Sequence, residues 1–373
     1  MKILHVVGAR PNFPKTAPVM AALAQFPDAF EQRLVHTGQH YDYRMSQVFF
    51  DELDLPEPDE YLGVGGGTHA TQTARIMMAF EPVLEKYQPD WLFVVGDVNS
   101  TLACTLVCTK LGVRVAHVEA GLRSGDRSMP EEINRLLTDQ VADLLFTPSP
   151  DGDENLLREG IAGEKIQQVG NVMIDTLVRM LPKAAARPGP AALGLETDNF
   201  VLTTLHRPAN VDRPETLREI LVALQEIARR IPVVFPVHPR TRKNIEAFFS
   251  EDSDRLLRKG QGLHLIDPLG YLDFLALTRT AKFVLTDSGG IQEETTYLGI
   301  PCLTVRPNTE RPVTIELGTN RLVDSSRAAI LRAVDELDCP AGHHAPVIPG
   351  WDGHAADRIA RVMLRRSGFI ESL

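Results

Sequence analysis

The sequence predicts an α/β protein of two Rossmann-like, doubly wound lobes facing across a cleft. Short apolar runs suited to buried parallel strands alternate with helical periodicities from Ile3 onward. The 373 residues exceed what one hydrophobic core usually organises. The same strand–helix rhythm recurs on both sides of an Ala-, Pro- and Gly-rich stretch from Lys183 to Gly194. These features give an N-terminal lobe over 1–175 and a C-terminal lobe over 195–354.

Ile3 to Val7 reads as the first strand. Gly8-Ala-Arg-Pro-Asn-Phe-Pro-Lys15 then turns into a helix. The turn lacks the later glycines of a dinucleotide fingerprint and is not a P-loop, yet it puts Arg10 and Lys15 where open α/β sheets bind ligands. Surface charge is the plainer reading of either residue alone. Arg33 to His36 is the next strand, and Val64-Gly-Gly-Gly-Thr-His-Ala70 is a glycine-rich loop before a helix from Thr71 to Lys86. Trp91 to Val95 ends in Gly96-Asp97, with Asn99 or Ser100 able to cap the following helix. Val113 to Val118 ends in Glu119. If these two strands are neighbours, Asp97 and Glu119 open into one crevice. Ser128-Met-Pro-Glu131 has capping-box spacing. Its helix shows an apolar face of Ile133, Leu136, Leu137 and Val141, which leaves Glu131 and Arg135 as a solvent-facing pair. Leu144 to Thr147 is a further strand, and a helix after Gly170 is expected to end near Pro182.

In the second half, Phe200 to Leu205 is a strand ending in His206, in a polar turn rather than on an apolar face. Pro232 to Val237 and Leu263 to Ile266 are strands. Phe283 to Leu285 runs into Asp287-Ser288-Gly289-Gly290 and a helix closing at Gly299. A strand, a glycine turn and a helix N-terminus form an anion site, because outward N–H groups and the helix dipole favour negative charge. Glu293 and Glu294 follow, read as first-turn residues that would repel a phosphate unless one reaches a neutral diol. An ordinary βα turn fits these residues equally well. Cys302 to Val305 is a strand followed by Arg306 and Arg311.

A net charge of −10 argues against a general nucleic-acid binder. No apolar run is long enough for a membrane span, and the N-terminal stretch is too short for a signal-peptide core, so a cytoplasmic protein is expected. Cys104, Cys108, Cys302 and Cys339 do not form a metal pattern, and Cys104 and Cys108 fit buried thiols. The remaining constellation suits a nucleotide diphosphate held by arginines on the second lobe, with proton-transfer chemistry by carboxylates on the first. Several carboxylates in one cleft would raise one another's pKa. No Ser-His-Asp or Cys-His arrangement stands out, and these strand ends carry no Asp-x-Asp pair for a metal.

Gly8-x-Arg-Pro with Lys15, Gly38-Gln-His40, Gly96-Asp97, His117-Val-Glu-Ala-Gly-Leu-Arg123, Met129-Pro-Glu-Glu-Ile-Asn-Arg135, Asp287-Ser-Gly-Gly-Ile-Gln-Glu-Glu294 and Thr309-Glu-Arg-Pro312 resemble the non-hydrolysing UDP-N-acetylglucosamine 2-epimerases. The motifs occur in the family's order from residue 8 to about 323. The resemblance implies the GT-B type of two-lobed fold, with the C-terminal helix 355–373 packing back on the first lobe. It implies reversible C2 epimerisation of UDP-GlcNAc to UDP-ManNAc by anti elimination of UDP to bound 2-acetamidoglucal and re-addition, without metal or redox cofactor. Asp97, Glu119, Glu131 and His206 become the candidate catalytic residues. Arg10, Lys15, Ser288, Gly289, Gly290, Glu294 and Arg311 become the UDP ligands, with Glu294 on the ribose diol. The family also suggests a homodimer.

Three segments depart from the pattern. Many bacterial members bind a second, activating UDP-GlcNAc through Gln-His-Arg-like residues, where this chain reads Gly38-Gln-His-Tyr-Asp-Tyr-Arg44. The usual Gly-His-Arg turn is Leu205-His-Arg-Pro-Ala-Asn210, and a uracil-contacting Gln is replaced near Pro268-Leu269-Gly270. These variants resemble a branch that includes epimerases for UDP-2,3-diacetamido-2,3-dideoxyglucuronate, which is the alternative substrate. A GT-B glycosyltransferase is a rival of another class, as is a nucleotide-sugar sensor without turnover.

Overall fold

A computed structural model describes residues 1–38, 50–249, 262–337 and 345–369. The chain divides into two compact units, Met1–Arg179 with Pro349–Leu373, and Met180–Ile348. The segment around Gln39 to Arg44, compared above with the activator site of relatives, lies outside the described residues, as does Cys339.

The first unit is built on a parallel sheet of β1 (Lys2–Val7), β2 (Glu31–His36), β3 (Glu60–Tyr61), β4 (Trp91–Val95), β5 (Arg114–Val118), β6 (Leu144–Thr147) and β7 (Ile166–Gln168). Their spatial order is β3-β2-β1-β4-β5-β6-β7. Its helices are α1 (Phe13–Leu23), α2 (His69–Tyr87), α3 (Asn99–Leu111), α4 (Pro130–Val141), α5 (Pro150–Arg158) and α6 (Val172–Ala185). Side chains alternate across each strand, so both faces are filled. Ile3, Trp91, Phe93 and Phe146 pack on one face, and Leu4, Val6, Leu92 and Val94 on the other with Ile76, Phe80, Cys104 and Cys108. The last helix of the chain, Ala355–Ser367, places Ile359 and Met363 in the first of these cores beside Val19 and Leu23. Asp175 accepts hydrogen bonds from the first two backbone N–H groups of that helix, Ala355 at 3.0 Å and Ala356 at 2.7 Å.

The second unit repeats the plan. Its strands are β8 (Val201–Thr204), β9 (Val233–Pro236), β10 (Leu263–Ile266), β11 (Phe283–Thr286), β12 (Cys302–Val305) and β13 (Asn320–Val323). They are parallel in the order β10-β9-β8-β11-β12-β13. Helices α7 (Pro208–Val211), α8 (Pro214–Ala228), α9 (Pro239–Phe248), α10 (Tyr271–Thr278), α11 (Gly289–Leu298), α12 (Val313–Glu316) and α13 (Arg327–Asp335) connect them, and the chain's last helix is α14. Leu217, Ile220, Leu221, Leu224 and Ile227 of α8 are core residues, as their helical spacing predicts.

Both sheets reverse strand order beside their first strand, at β1/β4 and at β8/β11. Such switch points are where open α/β sheets bind ligands. Strands β3 and β13 are additions to the sequence reading. β3 has only two residues, and β13 opens on polar Asn320-Arg321. Helix α6 runs past Pro182 to Ala185 instead of stopping near it, with Ala184 fully buried. Among the described residues no helix is long and apolar enough to cross a membrane.

Candidate active site

In the first unit, Asn12 folds the start of α1 over the end of β4. Its Oδ1 accepts from Gly8 N at 3.0 Å and Ala9 N at 3.1 Å, while its Nδ2 donates to Val95 O at 3.1 Å. Lys15 is thereby buried in the first turn of α1 and forms an ion pair with Glu119, which follows β5. The pair lies directly over Gly96. A side chain there would begin 3.1 Å from Lys15 Nζ and 3.3 Å from Glu119 Oε2, at a φ of +65°, so glycine is required. Glu119 itself has a φ of 70°, a left-handed conformation uncommon outside glycine and found at functional sites.

Strands β4 and β5 are neighbours, paired from Trp91↔Arg114 to Val95↔Val118, so Asp97 and Glu119 stand at adjacent strand ends. The two carboxylates do not simply confront each other, because each faces its own cation. Arg135 pairs with Asp97 and also donates to Glu132 Oε2 at 2.6 Å. Asn134 Nδ2 donates to the Asp97 carbonyl at 2.8 Å.

Helix α4 thus contradicts its apolar stripe. Its buried residues are Glu132, Asn134, Arg135, Thr138 and Asp139, whereas Leu137 is exposed and Ile133, Leu136 and Val141 are half-buried. Arg135 is buried rather than solvent-facing, because this face meets the polar ends of β4 and β5. The capping box is absent. Met129 is the N-cap and makes no side-chain capping bond, and the Ser128 hydroxyl donates to Asp126 instead. Asn99 and Ser100 likewise do not cap α3. Val98 is its N-cap, Asn99 donates to Gln72 Oε1 at 2.7 Å, and Ser100 meets Thr37 at 2.7 Å. Arg10 is exposed on the turn Arg10–Asn12, and Glu131 is half-buried in the first turn of α4.

In the second unit, the turns after β8 and β11 are tied by Asp287. This fully buried carboxylate accepts from the backbone N–H groups of His206 and Arg207 and from Asn210 Nδ2, and His206 Nδ1 lies 2.9 Å from its Oδ1. Burial would raise Asp287, but these partners hold it below the usual carboxylate range. Ser288 is the extended N-cap of α11, and Gly289 and Gly290 open the helix, half-buried. A Cβ on Gly289 would lie 2.6 Å from Arg311 Nη1 and 2.7 Å from Glu310 Oε1. Arg311 pairs with Glu310 and, at 2.8 Å, with Glu293, while Arg306 donates to Glu310 at 2.7 Å. Burial would raise Glu310, but the charges of Arg311, Arg306 and Arg207 keep it well below its ordinary range. Arginines therefore crowd a helix N-terminus, an arrangement suited to a phosphate.

Glu293 and Glu294 lie beyond the first turn of α11, both buried. Glu294 accepts a hydrogen bond from the Tyr271 hydroxyl at 2.9 Å. Burial pushes Glu294 up to about 7 against that hydrogen bond, and the Glu293 charge adds to the rise.

Residues 22–364 match the family model described as UDP-N-acetylglucosamine 2-epimerase. The chain belongs to the UDP-N-acetylglucosamine 2-epimerase family. A UDP-N-acetylglucosamine 2-epimerase of Methanocaldococcus jannaschii is 41% identical over 368 residues, covering 97% of this chain and 99% of that protein. A UDP-2,3-diacetamido-2,3-dideoxy-D-glucuronate 2-epimerase of Pseudomonas aeruginosa is 44% identical over 336 residues, covering 89% of this chain and 91% of that protein. The M. jannaschii epimerase solved with UDP-GlcNAc and UDP superposes with a TM-score of 0.89 at 40% identity, over 98% of this chain and 100% of that one. The Neisseria meningitidis epimerase bound to UDP-GlcNAc gives 0.87 at 31% identity, over 98% and 100%. These relatives and the two parallel sheets establish the GT-B type of fold for this member of the epimerase family.

Sequence reasoning missed four residues that contact the predicted site residues or the arginines beside them. Arg135 and Asn134 hold Asp97, Tyr271 binds Glu294, and Glu310 organises the arginines. A polar 132/135/139 spacing on α4 was the available signal for Arg135. Tyr271 lies on a different helix from Glu294, and nothing local connects them.

Proposed function

We propose that the chain interconverts UDP-GlcNAc and UDP-ManNAc by inversion at C2. A carboxylate removes the C2 proton, the C1–O bond to UDP breaks, and a C1=C2 double bond forms in 2-acetamidoglucal. A proton then returns to the opposite face of C2 while the UDP oxygen adds back to C1. Inversion at C2 needs proton-transfer groups on both faces of the sugar ring, one to take the proton and one to return it. The observation that carries this reading is the pair of carboxylates flanking Gly96, Asp97 on Arg135 and Glu119 on Lys15. Asp97 and Glu119 take the roles of base and acid, with Glu131 and His206 as further catalytic groups. Ser288, Gly289, Gly290 and Arg311 hold the diphosphate together with Arg10 and Lys15, and Glu294 accepts from the ribose diol. The solved relatives with bound UDP-GlcNAc support the ligand class. The active form in this reading is a homodimer, which sedimentation measures.

The test is incubation with UDP-GlcNAc in deuterated water, following C2 by NMR. Deuterium at C2 together with the ManNAc epimer is expected; neither appearing overturns the proposal. The P. aeruginosa relative favours a second reading, the same inversion on a diacetamido-dideoxyglucuronate. A panel of UDP-sugars assayed for C2 exchange separates the two.

A further inference from the structure

We infer that His117 is a positioning residue for Asp97: as a doubly protonated imidazolium between the Asp139 carboxylate and the Gly96 carbonyl, it fixes the peptide from which Asp97 projects. The ring is fully buried at the end of β5. Its Nε2 lies 2.8 Å from Gly96 O and its Nδ1 2.6 Å from Asp139 Oδ1. A carbonyl oxygen can only accept, so Nε2 carries a proton. Asp139 Oδ2 meanwhile accepts from Arg123 Nη1 at 2.8 Å and from Gly121 N at 3.1 Å, bonds that favour the carboxylate. Asp139 therefore accepts as well, and Nδ1 carries the second proton. Arg123 is in turn bound by Glu159 at 2.7 Å, so the two cations and two carboxylates of this cluster balance.

The consequence falls on Gly96. Its N–H donates to Val118 O at 3.1 Å and its carbonyl is clamped by His117, so the peptide is held from both sides. Asp97 is then held by Arg135 through its side chain and by Asn134 through its carbonyl. Helix α4 supplies Asn134, Arg135 and Asp139, and reaches the Gly96–Asp97 segment through all three.

The first test is ¹⁵N NMR of the His117 ring, assigned through its sequence neighbours, at about pH 7.5. Two ring N–H signals are expected; one N–H and one bare nitrogen would overturn the charge assignment. The second compares His117→Gln, which keeps a donor at the Nε2 position, with His117→Asn, which keeps only the Nδ1 donor. Loss of the Gly96 clamp in His117→Asn should lower kcat about 100-fold with KM changed less than about 3-fold, as expected for a misplaced catalytic group. His117→Gln should stay within about 10-fold of wild type, because the contact to Gly96 survives. Equal loss in both variants would mean that His117 serves only to neutralise Asp139. The kinetic arm rests on the epimerase reading of Asp97. The NMR arm does not, and it decides the charge even if the wild-type protein shows no C2 exchange or neither variant folds.

Discussion

The buried carboxyl of Glu294 links folding to pH in a direction opposite to most acidic residues. Its pKa rises from the ordinary 4.5 to about 7 on folding. The folded state therefore holds a proton that the unfolded chain releases. Stability contributed by Glu294 is full below the unfolded value and is lost as pH rises through about 7. At about 1.4 kcal/mol per tenfold change, the penalty above that range reaches about 3 kcal/mol. Glu294→Gln keeps a neutral group in the same place and removes the titration. Urea unfolding of the two proteins at about pH 5 and about pH 8 should show wild type losing about 2 to 3 kcal/mol relative to the variant across that interval. In the proposed function the same variant binds UDP more weakly, because a carboxylate that accepts from a diol has been replaced. Parallel pH dependence in wild type and Glu294→Gln would refute the reasoning.

Three further outcomes follow from the same geometry. Asp97→Asn should cut C2 exchange by about 100-fold or more while UDP still binds; full activity would remove Asp97 from the chemistry. Arg135→Met leaves Glu132 buried without this cation, and should cost about 3 to 5 kcal/mol in denaturant unfolding as well as turnover; an unchanged midpoint would show that the ion cluster is energetically idle. Gly289→Ala pushes a methyl group into Arg311 and Glu310, and should weaken UDP binding by about tenfold, or about 1.4 kcal/mol, by calorimetry. Unaltered affinity would place the diphosphate elsewhere.

Most strands, though not β3 or β13, were legible because short continuous apolar runs have few alternatives to a sheet buried on both faces. The strand, glycine turn and helix start at Ser288-Gly289-Gly290 were legible for the same local reason. What could not be read was which face of a helix is buried when hydrogen bonds, not apolar area, decide it. The stripe of Ile133, Leu136, Leu137 and Val141 pointed α4 one way, and its contacts with the ends of β4 and β5 turned it the other. Glu131 drew attention by its spacing, yet Arg135 and Asn134 make the bonds to Asp97. The Tyr271–Glu294 bond spans 23 residues and two helices, beyond any local pattern.

The helix from Ala355 bears on how the protein is made. Ile359 and Met363 complete a core begun by Ile3, and Asp175 waits for the N–H groups of Ala355 and Ala356. During synthesis the second unit, one continuous segment, is complete before the helix from Ala355 that walls the first unit's core has been made. The unit that begins at Met1 therefore cannot close this core until residues near 360 have been made, although its strands were made long before.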